Sequence, residues 1–183
     1  MRSMIIISFI TSIFLLNIIV HLFAPSNLSK SELVDKLLKE TGNNLKSEKN
    51  LQLIGTGSRM MNEIKMLGLS FRMNKPVTIQ EARNLLIYSV DTLVSKINHD
   101  EKLRPYLIKQ PFTAENVQIR IFIDNGSDSY LNSEPLYLIS ALEGELNYQT
   151  RGPNGRLKEV LEESYSDAKM LSSEQSIDYR ESS

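Results

Sequence analysis

From Met4 to Ala24 the chain reads MIIISFITSIFLLNIIVHLFA, about 21 residues without one charge. A run of this kind cannot stand in water, so it crosses a bilayer, is cleaved away, or lies in a protein core. Its length matches what a helix needs to span the hydrocarbon. Ser8, Thr11, Ser12, Asn17 and His21 can return their hydrogen bonds to the helix backbone or sit near an end. Arg2 is the only charged side chain before the run, and Lys30 is the first after it. Basic residues in the short flank hold that side in the cytoplasm, so everything after Ala24 is expected to cross.

A cleaved secretory signal begins in the same way, but its apolar region spans only about 7–15 residues. The longer run favours an uncleaved anchor. Cleavage remains the alternative reading, with Ala24-Pro25-Ser26 a passable site and Leu22-Phe23 a poor one; a buried core helix is the third. Both leading readings place the domain outside the cytoplasm. The expected location is the inner or plasma membrane, single-pass with a cytoplasmic N-terminus. Release to the periplasm or medium is the alternative.

The chain has 183 residues, a formal net charge of −1 and no cysteine. Lipobox acylation and disulfides are therefore excluded. No basic stripe marks a nucleic-acid binder, and no period of about 20–50 residues marks a repeat protein. Beyond the anchor (residues 1–26) the sequence divides into a short helix with a polar linker (27–50), a domain (51–171) and a Ser- and Glu-rich tail expected to be disordered (172–183).

Ser29 and Glu32 form the capping-box pattern, with Leu28 and Leu33 placed as a staple. Leu33, Val34, Leu37 and Leu38 make one apolar face, and Gly42 is read as the stop. The apolar-poor NNLKSEKN that follows reads as the linker. Leu51 to Gly57 looks like a weak edge strand entering a glycine turn. Gly55-Thr56-Gly57-Ser58 lacks the lysine and spacing of a phosphate loop, so a tight turn is expected.

Leu67, Leu69, Phe71 and Met73 alternate with polar or small residues, the pattern of a half-buried strand. Thr78 and Glu81 then cap a long helix whose stripe is Ala82, Leu85, Leu86, Val90, Leu93, Val94 and Ile97, with Arg83, Asp91 and Lys96 on its wetter side. Val117, Ile119, Ile121 and Ile123 alternate with Gln118, Arg120 and Phe122 in a further strand. Asp124-Asn125-Gly126-Ser127 is a turn signal, and two strands flank the hairpin turn Glu143-Gly144. Leu157, Val160, Leu161, Tyr165, Ala168 and Leu171 have the spacing of a second amphipathic helix. Strand–helix–strand predicts a parallel crossover. The fold class is α+β, a two-layer domain with a mostly antiparallel sheet of about four strands and helices on one face.

Chemistry is sparse. His99-Asp100-Glu101 sets a histidine beside two carboxylates, yet neighbours on one turn point apart, and the other histidine, His21, lies in the anchor. No Gly-x-Ser-x-Gly elbow positions a serine nucleophile. No catalytic, cofactor or metal residue is therefore assigned. Arg104 and Tyr106, around Pro105, are types enriched at interfaces; the competing reading is a structural corner, with Arg104 paired to a helix carboxylate and Tyr106 packed on the sheet. Met60 and Met61, with Met66, either fill core gaps or offer an adaptable binding surface. Asn27-Leu28-Ser29 and Asn125-Gly126-Ser127 match the glycosylation pattern.

The strings LGLSF at Leu67, EAR at Glu81, LRPYL at Leu103 and PFT…NVQIRIFI from Pro111 resemble a family of uncharacterised, signal-bearing, secreted or envelope-associated bacterial proteins. The resemblance implies a bacterial envelope or secreted protein and transfers no ligand or site residue. The expected function is a membrane-anchored extracytoplasmic interaction domain. Its partners would be the membrane, through Met4 to Ala24, and a protein or envelope component. A secreted factor released by cleavage is the alternative, and an enzyme the third class.

Overall fold

Two capping boxes set where the long helices begin. The structure, a computed structural model, describes residues 28–124, 135–152 and 154–181. Helix α1 (Lys30–Lys49) starts at Ser29, whose hydroxyl accepts from the Glu32 amide at 3.3 Å while the Glu32 carboxylate accepts from the Ser29 amide at 2.7 Å. Helix α2 (Ile79–His99) starts at Thr78 with the same reciprocal pair to Glu81, at 3.2 and 2.8 Å. Each box satisfies amide groups that a first helical turn would otherwise leave unpaired.

Helix α1 does not stop at Gly42. That glycine is buried inside the helix, where an added Cβ would lie 2.7 Å from Leu53 Cδ2, so it permits close approach to the sheet. The stretch read as a linker forms the last turns, with Leu45 buried and the polar residues around it facing out. Asn50 ends the helix in the left-handed region (φ 54°, ψ 35°), and the Leu51 amide returns to the Leu45 carbonyl at 3.4 Å.

The sheet has six strands rather than about four: β1 (Gln52–Met60), β2 (Ile64–Met73), β3 (Val117–Ile123), β4 (Leu136–Leu142), β5 (Glu145–Arg151) and β6 (Leu157–Ser164). They lie side by side in chain order. Every neighbouring pair is antiparallel except β2 and β3, which α2 joins as the parallel crossover.

Two segments depart from the expected elements. β1 runs straight through Gly55-Thr56-Gly57-Ser58, with Gly57 opposite Gly68, so the glycines lie in a strand and not in a turn. Leu157 to Ser164 is a strand and not the start of a helix. A register shift opposite Tyr148 and Gln149 absorbs Val160, which lets helix-like apolar spacing sit in a bulged strand. Helix α3 (Tyr165–Glu181) follows directly and runs on to Glu181, within the stretch read as a disordered tail.

Alternation along the strands sorts the layers. Leu67, Leu69, Phe71, Ile119, Ile121, Ile139, Leu146 and Tyr148 are buried under the helices, with Leu86, Val90, Leu93 and Ile97 of α2 in the same core. α1 packs on β1, β2 and α2, while α3 packs on α2, β5 and β6. Helices cover one face of the sheet, and the other face carries none among the described residues. The expected N-terminal anchor, its cleavage site, the acceptors Asn27 and Asn125 of the two glycosylation patterns and most of the Asp124–Ser127 turn fall outside the described residues. Among the described residues no helix is long and apolar enough to cross a membrane.

Candidate interaction surface

The four residues singled out from sequence come to one end of the molecule. Met61 sits in the β1–β2 turn with its side chain 89% exposed, and Met60 beside it is half-buried against the core. Arg104 and Tyr106 belong to a short 3-10 turn, both exposed, Tyr106 at 37%. A parallel bridge from Ile64 to Leu107, and the Ile108 amide donating to the Ile64 carbonyl at 3.0 Å, tie that turn to the hairpin. The Lys30 ammonium donates to the carbonyls of Met61 and Asn62, so α1 also begins here. Arg104 forms no ion pair among the described residues, and its carbonyl accepts from Gln110 Nε2 at 2.8 Å. Exposed Met61, Tyr106 and Ile108 thus cluster around the point where the chain leaves toward its apolar run.

His99-Asp100-Glu101 has a structural role. His99 Nδ1 bonds the Ser95 carbonyl at 2.7 Å, and Asp100 Oδ1 accepts from the amides of Lys102 and Leu103 at 2.9 and 3.1 Å. Among the described residues no three His, Asp or Glu side chains gather in a way that could hold a metal.

Arg83 corrects the expected wet face of α2. It is only 9% exposed and makes a bidentate pair with Glu163, Nε to Oε1 at 2.8 Å and Nη2 to Oε2 at 3.0 Å. Its Nη1 also donates to Gln80 Oε1, and the Tyr148 hydroxyl donates to Glu163 Oε1 at 2.7 Å. Glu163 lies on β6, the strand that periodicity alone assigns to a helix, so no sequence pattern reveals the partner. Burial, then the Glu163 hydrogen bond, pushes the Tyr148 phenol well above its ordinary range; the same carboxylate raises Arg83. A second link joins α2 to α3. Tyr165 donates to Asp91, and Lys169 bonds both Asp91 oxygens at 3.1 Å. Burial followed by that Asp91 bond raises the Tyr165 phenol. Both groups spend their donors and acceptors on one another and stitch β6 and α3 to α2.

The open face of the sheet is the larger unassigned surface. The pairings place Gln52, Gly55, Gly57 and Arg59 of β1 beside Arg72, Ser70, Gly68 and Met66 of β2, and Arg72, Ser70 and Gly68 in turn beside Phe122, Arg120 and Gln118 of β3. On the far side of the midline lie Leu138, Ser140 and Leu142 of β4, Asn147 and Glu145 of β5, and Glu159 and Glu162 of β6. Phe122 meets Tyr137 edge-on, ring centroids 6.4 Å apart at 78°, and the Arg151 guanidinium lies 4.9 Å from the Tyr137 centroid. The centre thus mixes Phe122, Tyr137, Leu138 and Leu142 with Gln118, Arg120 and Ser140, and the β1–β3 half carries arginines. The β5–β6 half of this face carries Glu145, Glu159 and Glu162 together with Arg151. Arg59 reaches across one end to Glu143 at 3.1 Å. Asn147 Oδ1 is buried on this face with no hydrogen-bond partner among the described residues. The alternation of Gln118, Arg120 and Phe122 is visible in sequence; that no helix covers them depends on strand order, which is not.

Comparison with protein families, with curated proteins and with solved structures finds no match.

Proposed function

We propose that the protein is a membrane-anchored extracytoplasmic interaction domain that binds through the open face of its sheet. The observation that carries this reading is the one-sided layering. A six-stranded sheet that, among the described residues, is shielded on one face only leaves Phe122, Tyr137, Leu138 and Leu142 between two flanks of unlike charge. Apolar and aromatic side chains set among polar and charged ones are what a protein interface of ordinary polarity presents. The end bearing Met61, Tyr106, Ile108 and Arg104 lies beside the start of α1 and faces the bilayer. Exposed apolar and aromatic side chains with basic neighbours suit the headgroup layer.

The anchor and the topology are tested together. Carbonate extraction of membranes should leave the chain in the pellet, N-terminal sequencing should recover Met1, and protease added outside should digest the domain. A soluble chain beginning at Pro25 or Asn27 would replace the anchor with the secreted alternative. For the binding face, a cysteine placed at Gln118 should react with a maleimide more slowly in membranes than in the purified protein. Equal rates would remove the reading.

A further inference from the structure

We infer that the occupant of the open face is a second copy of this chain, packed sheet against sheet about a two-fold axis that runs parallel to the strands between β3 and β4. The inference rests on the reading of that face as a binding surface.

Two sheets pack face to face about 10 Å apart, with strands aligned within about 30°. A two-fold pair of this kind can place its axis along the strands or across them. Across the strands, each strand stacks on its own copy, so the arginine-bearing β2 and β3 lie on their own copies and the glutamate-bearing β5 and β6 on theirs. Along the strands, β1–β3 stack on the partner's β6–β4, and unlike charges meet. In that arrangement Phe122 lies over the partner's Leu138, and Arg72 stands over the partner's Gln149, one strand from the partner's Glu159. All of these residues share one row of the sheet register. Ser70 shares its row with Arg120 and Asn147, so it comes opposite the partner's Asn147. The glycines at 55, 57 and 68 keep the basic half low, leaving height for the partner's longer glutamates.

The anchor of the proposed function favours the same axis. α1 begins at the strand end that holds the β1–β2 turn, where Lys30 bonds Met61 and Asn62. An axis along the strands keeps the two α1 starts at one end, so both anchors enter the same bilayer. An axis across the strands would send them to opposite ends. Charge and tethering thus agree on one geometry, the isologous contact expected of a two-fold dimer.

The chain has no cysteine, so an introduced one is unique. The test uses the full chain in membranes with Ser140→Cys next to the proposed axis, Ser47→Cys on the exposed side of α1 as control, and a short bis-maleimide. Ser140→Cys should give a covalent dimer, and Ser47→Cys should not. Adding Arg72→Glu, or Glu159→Arg, should cut the dimer about tenfold, since like charges then face each other. The two exchanges combined should restore it, a rescue that a folding defect would not produce. If Ser140→Cys stays monomeric and reacts with a monofunctional maleimide as fast in membranes as after purification, both the dimer and the binding face fall. If it stays monomeric but is protected in membranes, the second copy is overturned and another occupant holds the face.

Discussion

Arg83 and Glu163, 80 positions apart in sequence, grip each other through two parallel hydrogen bonds of 2.8 and 3.0 Å, with side chains 11% and 9% exposed. One sits on the central helix and the other on the last strand. The pair therefore fixes β6, and the α3 that grows from it, to the middle of the molecule. Breaking one side of a buried pair leaves an uncompensated charge, at a cost of about 3–5 kcal/mol. Arg83→Ala is thus expected to destabilise as much as a core deletion, although helical periodicity puts Arg83 on a wet face where its loss would do almost nothing. Urea unfolding of the full chain in detergent measures the cost. A change below about 0.5 kcal/mol, the usual range for surface substitutions, would mean that the pair is not buried in solution.

Tyr148 and Tyr165 give the pH dependence. Burial, with Glu163 and Asp91 as hydrogen-bond partners, raises both phenols above the ordinary value of 10.0. A group whose folded pKa is raised adds stability that is fully present below the unfolded pKa and lost as pH rises beyond it. Their contribution should therefore be full and independent of pH around neutrality, and stability should fall above about pH 10. A spectrophotometric titration should show two of the chain's tyrosines ionising only as the protein unfolds, and Tyr148→Phe should remove one of them. Simple titration of every tyrosine near pH 10 with the fold intact would contradict the buried network.

The elements that sequence pattern captures are those set by local chemistry. Ser29 with Glu32, Thr78 with Glu81, and the Leu86–Leu93 stripe are each decided within a few residues, and each appears in the fold as the spacing implies. Glu143-Gly144 likewise turns as expected, both residues at positive φ. What pattern missed is set by partners remote in sequence. β6 is a strand because β5 pairs with it, although its apolar spacing is helical. Gly42 lies mid-helix because Leu53 needs the room. The candidate surface splits in the same way. Arg104, Tyr106, Met60 and Met61 could be named from residue type, whereas the open face exists only once six strands have an order.

The end of α1 is a direct test of helix against linker. Lys46 is exposed and lies within α1, one turn before Asn50 closes it. Lys46→Pro removes a helical amide and drives the ring into the preceding turn, at a cost of about 3 kcal/mol. In a flexible linker the same change would be close to neutral. Thermal melting of the two chains separates the cases, and an unchanged midpoint would return residues 43–50 to a linker.

The core of α2 predicts an order of effects. Leu86 and Leu93 are wholly buried, so replacing either by alanine should cost about 2–5 kcal/mol in lost transfer energy and packing. Thr78→Ala removes one cap hydrogen bond and should cost about 1 kcal/mol. Denaturant unfolding of the three variants should rank both leucines above the threonine; the reverse ranking would place the sheet against another face of α2.

Gly57 decides whether the glycine stretch is a strand or a turn. A tight turn of the kind its neighbours suggest uses glycine for a positive φ, and there a β-branched residue is strained. In the structure Gly57 pairs with Gly68 across β1 and β2, its φ lies outside the left-handed region, and an added Cβ would meet nothing within 4 Å. Glycine in a strand interior sacrifices backbone entropy and packs no side chain, so Gly57→Thr should be neutral or stabilise the fold by up to about 1 kcal/mol. Gly68 is the contrast. A Cβ there would lie 3.3 Å from Gln118 Cβ, and neither backbone can yield far inside the sheet, so Gly68→Thr should destabilise. Melting both variants beside the wild-type chain reads the difference. If Gly57→Thr proves the more damaging of the two, β1 ends at Leu53 and the open face loses its first column.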